Sequence, residues 1–479
     1  MAGPMPPEVD LFAAPCGSVT APAGCGKTQL IVDTLAEHGA AKPILVLTHT
    51  NAGVAALRAR LAQCSIRASA YRISTLDGFA MRLASRFPLR SGISANVLAL
   101  DDPKRDYPAI RGAVGNFIHA GDINDALRAT YSRLLVDEYQ DCNVAQHRIV
   151  VALSKVFPTC VLGDPMQAIF GFGGNQLVDW GTDVQSSFPP IGALTTPWRW
   201  RRAGHESLGQ WLLNVRANLQ AGAAVDLETR PTEVEWVALR PETEAAQKRA
   251  AARTRPLDQD GRVLIIGDAL SARSRHLLTS HVPEATSVET VDLGDLIAFA
   301  RELDPSADDP LGKVISFAAL VMTGVGAASL LDRVAILKRG TAHTPPTVVE
   351  AEALAMLNAP SIAQAANLLE TLRRQPSTRV FRPAVLNCCL SAMRVAASGS
   401  CTLLAAALQA RERNRHFGRP LSRRAVGSTL LLKGLEAEVA VVLEPDKMNA
   451  QHLYVALTRG SQQLVVCSRT AVLTPALRN

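Results

Sequence analysis

Three short stretches hold residue types whose spacing suits chemistry on a polyphosphate. Ala21–Thr28 reads A-P-A-G-C-G-K-T. A glycine-rich turn opening a helix offers successive backbone N–H groups and the helix's positive end to an anion. Gly24 and Gly26 allow close backbone approach, Lys27 supplies a point charge for outer phosphates, and the Thr28 hydroxyl suits Mg²⁺. Ala23, Gly24, Cys25, Gly26, Lys27, Thr28 and Gln29 are therefore the candidate nucleotide-binding residues. The strict form of this loop has glycine where Ala21 stands. Leu134–Asp141 reads L-L-V-D-E-Y-Q-D, an apolar strand ending in two carboxylates. Asp137 suits Mg²⁺, and Glu138 suits the general base that polarises a water. Val161–Gly174 reads V-L-G-D-P-M-Q-A-I-F-G-F-G-G. Gln167 can sense a terminal phosphate or the water attacking it. Phe170 and Phe172 can stack on any base, although a phenylalanine pair taken alone reads first as ordinary core.

Further along, Leu194–Arg202 reads L-T-T-P-W-R-W-R-R. Trp198 can stack on an adenine, and Arg199 can reach a terminal phosphate as an arginine finger. Tyr454–Gly460 reads Y-V-A-L-T-R-G and offers Arg459 as a second finger. In Lys433–Glu436 (K-G-L-E), Glu436 can accept from a ribose hydroxyl. Arg411–Arg424 is a basic run, read either as a solvated face or as a contact to a phosphate backbone.

These segments need a scaffold, and the hydrophobic pattern supplies one. Short apolar runs at Ile44–Leu47, Ile73–Thr75, Leu134–Val136, Thr159–Leu162 and Gly192–Thr195 alternate with helical stretches. That alternation predicts a parallel α/β sheet, with functional loops at the strands' carboxyl ends. Val234–Arg240 and Arg262–Ile266 begin a second sheet, which resumes at Ser428–Leu432, Val439–Leu443 and Gln463–Cys467. The expected division is 1–190, with a helical insertion at about 86–130, and 191–479, with one at about 292–411. Asp101–Tyr107 reads as a loop inside the first insertion. Val314–Leu331 carries no charge but is interrupted by Thr323, Gly324 and Gly326, so it reads as a buried helix rather than a membrane span.

The chain has 479 residues, 48% hydrophobic and 19% charged, and a net charge of +7. This composition fits a globular rather than a disordered protein and is compatible with nucleic acid as partner. The first residues show no basic, apolar leader, and the nine cysteines lack C-x-x-C spacing. Both point to a cytoplasmic protein with reduced thiols and no membrane association.

Taken in order, the boxes resemble the UvrD/Rep-type helicases of superfamily 1. L-L-V-D-E-Y-Q-D is similar to that family's V-D-E-[FY]-Q-D, and G-D-P-M-Q-A-I-F-G-F to its G-D-x-x-Q-S-I-Y-x-[WF]. Thr48–Asn51 resembles T-F-T-N, Thr75–Gly78 resembles T-F-H-G, and Lys433–Glu436 and Tyr454–Arg459 match K-G-L-E and Y-V-[AG]-x-T-R. In the family pattern A-G-x-G-x-G-K-T, Ala21 is the expected residue.

The resemblance implies two RecA-like parallel-sheet domains of the P-loop NTPase type, each with a small helical insertion, and ATP–Mg²⁺ between them. Lys27, Asp137, Glu138, Gln167, Arg199 and Arg459 would be catalytic. Thr28 and Asp137 would hold the metal, and Trp198 and Glu436 the nucleoside. Arg199, Glu436 and Arg459 would come from the second domain. Single-stranded or tailed duplex DNA would lie near Thr48, His49, Asn51, Thr75, Phe170 and Phe172, with translocation 3′→5′.

The departures are specific. No upstream glutamine for adenine is recognisable, His49 replaces a phenylalanine, Phe172-Gly173-Gly174 replaces W-R-G, and S-T-L-L-L-K-G lacks the family's histidine. The compact form also resembles the helicase-like subunits of anti-phage defence operons, including the Gabija type. Two functional readings stay open: a DNA translocase or helicase in repair or phage defence, and an ATP-dependent DNA sensor that activates a partner nuclease. A P-loop kinase or transferase would leave Gln167, Arg199 and Arg459 without purpose.

Overall fold

The computed structural model describes residues 8–39, 41–100, 102–416 and 422–476. The chain divides into two compact units. The first runs to Val234 and takes in Asp446–Gln462 and the residues from Ala471 onward; the second is Glu235–Pro445 with Gln463–Thr470.

The first unit is built on six strands: β1 (Cys16–Thr20), β2 (Ile44–Thr48), β3 (Tyr71–Thr75), β4 (Arg133–Val136), β5 (Thr159–Gly163) and β6 (Pro190–Ala193). Their order is β3-β2-β4-β5-β1-β6, and every pairing is parallel. Successive residues of β2 enter opposite cores, Ile44 and Val46 with Ile31 and Leu35, and Leu45 and Leu47 with Phe79 and Val114. A strand apolar on both faces is what a sheet covered by helices on both sides requires. Helix α1 (Lys27–Ala36) follows β1, α2 (Asn51–Gln63) follows β2, and α3 (Leu76–Arg86) follows β3. Four helices then intervene before β4: α4 (Pro88–Ser91), α5 (Ala95–Leu98), α6 (Pro103–Ala120) and α7 (Asn124–Thr130). After β4 and β5 come α8 (Val144–Ser154), the short α9 (Gln185–Ser187), α10 (Trp198–Ala203) and α11 (Glu206–Gln220), with α8 between the two strands.

The second unit holds a six-stranded sheet in the order Ala285–Ser287, Arg424–Gly427, Val263–Ile266, Ala437–Val442, Gly460–Ser468, Val234–Ala238. The first four pair in parallel. Between Ser287 and Arg424 lies a helical insertion with its own core, including Leu296, Val314, Leu368, Leu386 and Met393. The α/β class with two parallel-sheet domains and helical insertions is thus observed. No described helix is long and apolar enough to cross a membrane.

Three local expectations change. Asp101 lies outside the described residues, but α6 already begins at Pro103, with the Asp102 carboxylate accepting from Lys104 N–H at 3.2 Å. Proline at the first helical position starts that helix instead of prolonging the loop. Ser428–Leu432 is not a strand: the strand is Arg424–Gly427, and Ser428 caps a turn of helix, Thr429–Leu432. The serine side chain competes for the backbone and wins over the apolar pattern. The uncharged stretch 314–331 is two helices, Pro310–Val321 and Ala327–Lys338, separated by Met322–Thr323 pairing with Arg379–Val380. Gly324 sits at φ 75°, and a Cβ there would come within 2.0 Å of the Ser377 carbonyl, so only glycine fits the break.

Candidate nucleotide site and nucleic-acid face

The sheet order explains the grouping of the first unit's motifs. Strands β4, β5 and β1 are neighbours, so their carboxyl ends bring the acidic turn, the Gln167 turn and the glycine loop side by side. Gly24 and Gly26 adopt φ 71° and 90°, and α1 begins at Lys27 without a side-chain cap. Glycine at the cap position supplies no side chain to the first-turn N–H groups, as an anion cradle requires. Lys27 Nζ lies 2.6 Å from Asp137 Oδ1 and also contacts Glu138 Oε1. Two carboxylates share one ammonium here. Burial pushes the Asp137 carboxyl above its ordinary value despite Lys27, while the two carboxylates push the Lys27 ammonium up against its burial. Glu138 has φ 55°, in the left-handed region that a glutamate rarely adopts. Strain of roughly 1–3 kcal/mol persists where surroundings over-determine a conformation.

Those surroundings are visible. The Asp137 carboxylate accepts from Glu138 N–H at 2.9 Å, and Asp137 N–H donates to Leu47 O at 2.8 Å. Gln140 donates to Glu138 Oε2, and its Oε1 accepts from Asp164 N–H at 3.0 Å. Asp164, 1% exposed, then accepts from Gln167 Nε2 at 3.1 Å and from Arg216 Nη2 at 2.8 Å. Gln140, Asp164 and Arg216 were not singled out from sequence. The first two sit inside quoted boxes as buried polar residues, a usable signal. Arg216 stands alone on α11 and gives none.

Several candidate residues have local commitments. The Cys25 thiol is buried and pushed up to about 12, and Cys25 N–H donates to Pro22 O at 3.1 Å. Ala23 N–H donates to the Tyr454 hydroxyl at 3.1 Å. The Gln29 side chain bridges Asp33 and Arg60, at 2.7 Å each. Trp198 lies against the loop: a Cβ on Gly26 would fall 3.0 Å from its Cδ1, and Arg201 and Arg202 stack on the indole. Arg199, Tyr454 and Arg459 belong to the same compact unit as the glycine loop. Arg199 N–H donates to Gly24 O at 3.0 Å and its Nη1 to Thr458 O at 2.6 Å. Arg459 is 3% exposed and donates from Nε to Val455 O at 2.8 Å. Glu436 belongs to the second unit and is exposed.

The donor set fits a nucleoside triphosphate with Mg²⁺: left-handed glycines, an uncapped helix start, a lysine, a hydroxyl and a carboxylate.

The other half of the same sheet edge carries the candidate polynucleotide residues. Thr48 and Thr75 end β2 and β3 and are register partners. Thr75 caps α3, accepting from Gly78 N–H at 3.0 Å, and Asn51 opens α2. His49 stacks on Phe170 with ring centroids 5.9 Å apart, so a loop after β2 and a loop after β5 meet. Phe172 is 58% exposed, against the core reading of that pair. In the basic run, Arg424 is turned inward onto Ala252 O and Thr254 O, Arg423 pairs with Asp260 and Arg411 with Glu412. Arg419 and the side chain of Arg415 lie outside the described residues.

Residues 13–120 and 109–178 match the UvrD/REP helicase N-terminal domain family. A comparison with curated proteins finds no match. Among solved structures, the chain is similar to the arterivirus nonstructural protein 10, a helicase solved in complex with DNA, at 8% identity and a TM-score of 0.36. That likeness covers 95% of this chain and 61% of the viral one.

Proposed function

We propose that this protein is an ATP-dependent motor of the UvrD/Rep type that translocates on single-stranded DNA, in the 3′→5′ direction, and displaces strands from tailed duplexes. The observation that carries the reading is Lys27 held by Asp137 and Glu138 at the mouth of the glycine loop, inside the region that matches the UvrD/REP N-terminal domain. Lys27, Thr28 and the N–H groups of the loop would hold the triphosphate, and Thr28 with Asp137 would hold Mg²⁺. Bound ATP–Mg²⁺ supplies the scissile phosphoanhydride. Lys27 exchanges its carboxylate partners for phosphate oxygens. Glu138, oriented by Gln140, then takes a proton from water at a carboxylate oxygen. Gln167, fixed on Asp164, orients that water or the terminal phosphate. Arg199 and Arg459 offset the developing charge.

The test is ATP turnover of wild type, Lys27→Ala and Glu138→Gln with no DNA, with single-stranded DNA and with 3′-tailed duplex. Stimulation by single strands and its loss in both variants is expected. Turnover indifferent to DNA, or full activity in Lys27→Ala, overturns the reading. Strand displacement from 3′-tailed but not 5′-tailed duplex checks the direction.

A further inference from the structure

The loop that exposes Phe172 is stitched to the segment just after the catalytic carboxylates. Asn175 Nδ2 donates to Phe170 O at 3.2 Å, and Asn175 N–H donates to Phe172 O at 3.2 Å, so this one residue closes the aromatic loop. Its Oδ1 accepts from Asn143 Nδ2 at 3.1 Å. Asn143 caps α8 in a reciprocal box with Gln146, and Gln146 Nε2 donates onward to Asp77 Oδ1 at 3.1 Å. Asp77, in the first turn of the helix capped by Thr75, is gripped through both oxygens by Arg111. Backbone contacts run parallel to this path: Val178 N–H to Cys142 O at 3.0 Å, and an antiparallel bridge between Asn143 and Leu177. Asn143 lies two residues beyond Asp141, at the end of the acidic turn that holds Glu138 in its left-handed conformation.

From this we infer that Asn143 and Asn175 form a positioning pair that transmits occupancy of the aromatic loop to the Glu138 turn. Hydrolysis would accelerate through this contact when a strand stacks on Phe170 and Phe172. The inference rests on the motor reading above, and adds to it a named mechanical link. The link is separable from helix capping. Serine caps a helix about as well as asparagine, but is too short to reach Asn175. Asn143→Ser therefore cuts the pair while keeping α8 closed, and Asn175→Ala cuts it from the other side.

The experiment measures ATP turnover of the full chain at saturating ATP, without DNA and with saturating oligo(dT), for wild type, each single variant and the double variant. The expected result is a DNA-stimulated rate lowered by roughly tenfold, the scale of one lost hydrogen bond, in all three variants. The DNA-free rate should stay within about twofold in every variant, and so should the oligo(dT) concentration for half-maximal stimulation in Asn143→Ser, whereas Asn175→Ala, which also frees Phe170 O, raises that concentration; the double variant should be no worse than Asn175→Ala. Full stimulation in both single variants overturns the link alone. Equal loss of stimulated and DNA-free rates reduces the pair to ordinary structure and also overturns it. A wild type that DNA does not stimulate overturns the motor reading, and the link with it.

Discussion

A cation held by two carboxylates occurs in each unit, at Lys27 and at Arg382, and these two clusters are built for opposite purposes. In the first, Lys27 meets Asp137 and Glu138 beside an uncapped helix start, on a backbone with a left-handed glutamate. In the second, Arg382 donates from Nε and Nη2 to the two oxygens of Glu289, at 2.8 Å each, and from Nη2 to Asp295 at 2.6 Å. Lysine offers a point charge with rotatable donors and exchanges partners readily. Arginine's planar fork matches a carboxylate in one geometry. Exposure separates the cations, 14% for Lys27 against 2% for Arg382, while each cluster keeps one carboxylate toward solvent, Glu138 at 33% and Asp295 at 44%. Arg382 immediately precedes the helix Pro383–Ala397 of the insertion, and Glu289 follows the strand Ala285–Ser287. The second cluster is thus a brace between insertion and sheet. The neighbouring Arg379 adds to it by bonding Ala285 O, Thr279 O and Ser280 O.

The largest effect should come from breaking the brace on one side. Arg382→Met leaves Glu289 buried without its fork, and removing one partner of a buried pair costs about 3–5 kcal/mol. The unfolding transition of the second unit should fall by several degrees, while Arg382→Met/Glu289→Met recovers much of it; denaturation followed by calorimetry checks this. Lys27→Ala should behave inversely. ATP turnover should fall by about 10²–10³-fold, the scale of losing one electrostatic donor, with little change in either transition. If Lys27→Ala instead unfolds the first unit, the exchangeable character of that cluster is wrong. A smaller effect is expected at Arg216, which acts through Asp164 on Gln167. Arg216→Met should lower kcat roughly tenfold, the scale of one lost charge-assisted hydrogen bond. KM for ATP should hold within about twofold, and Arg216→Lys should restore part of the rate.

The same contrast shows what was legible in the chain. Strand runs such as Ile44–Leu47 and Leu134–Val136 declare themselves because a sheet covered on both faces needs unbroken apolar residues. The glycine loop and the acidic turn are local, with their chemistry written within eight residues each. The brace is not. Glu289 and Arg382 are 93 residues apart, and no periodicity links a carboxylate after one strand to an arginine before a distant helix. Arg216 escaped for the same reason, since only the packing of α11 brings it to Asp164. The resemblance implies that Arg199 and Arg459 come from the second domain, yet both fall in the first compact unit. Gln29 looked like part of the loop, but Arg60 on α2 takes its side chain, a contact that spacing does not encode. Ser428 and Pro103 misled through local competition, where a cap and a first-turn proline outweigh an apolar or polar run.

The finest test separates the clusters by the sign of their response to acid. Arg382 and His276 hold the Glu289 carboxyl far below the ordinary glutamate range. Below about pH 4.3 the unfolded chain therefore binds a proton that the folded chain refuses, so stability is lost as pH falls. Glu289→Gln cannot titrate. Its disadvantage relative to wild type should shrink below that pH by at most about 1.4 kcal/mol per unit. Asp137 is shifted the other way, raised by burial beside a second carboxylate. Its contribution is fully present below about pH 3.9 and lost as pH rises through the raised folded value. Wild type should therefore gain on Asp137→Asn as pH falls from neutral toward 4, where it loses ground to Glu289→Gln only below that range. Denaturant titrations of the two variants across pH 3–7 read both slopes. Slopes of the same sign would mean that Lys27 keeps Asp137 ionised as Arg382 keeps Glu289, leaving one net negative charge in the first cluster for a bound cation to relieve.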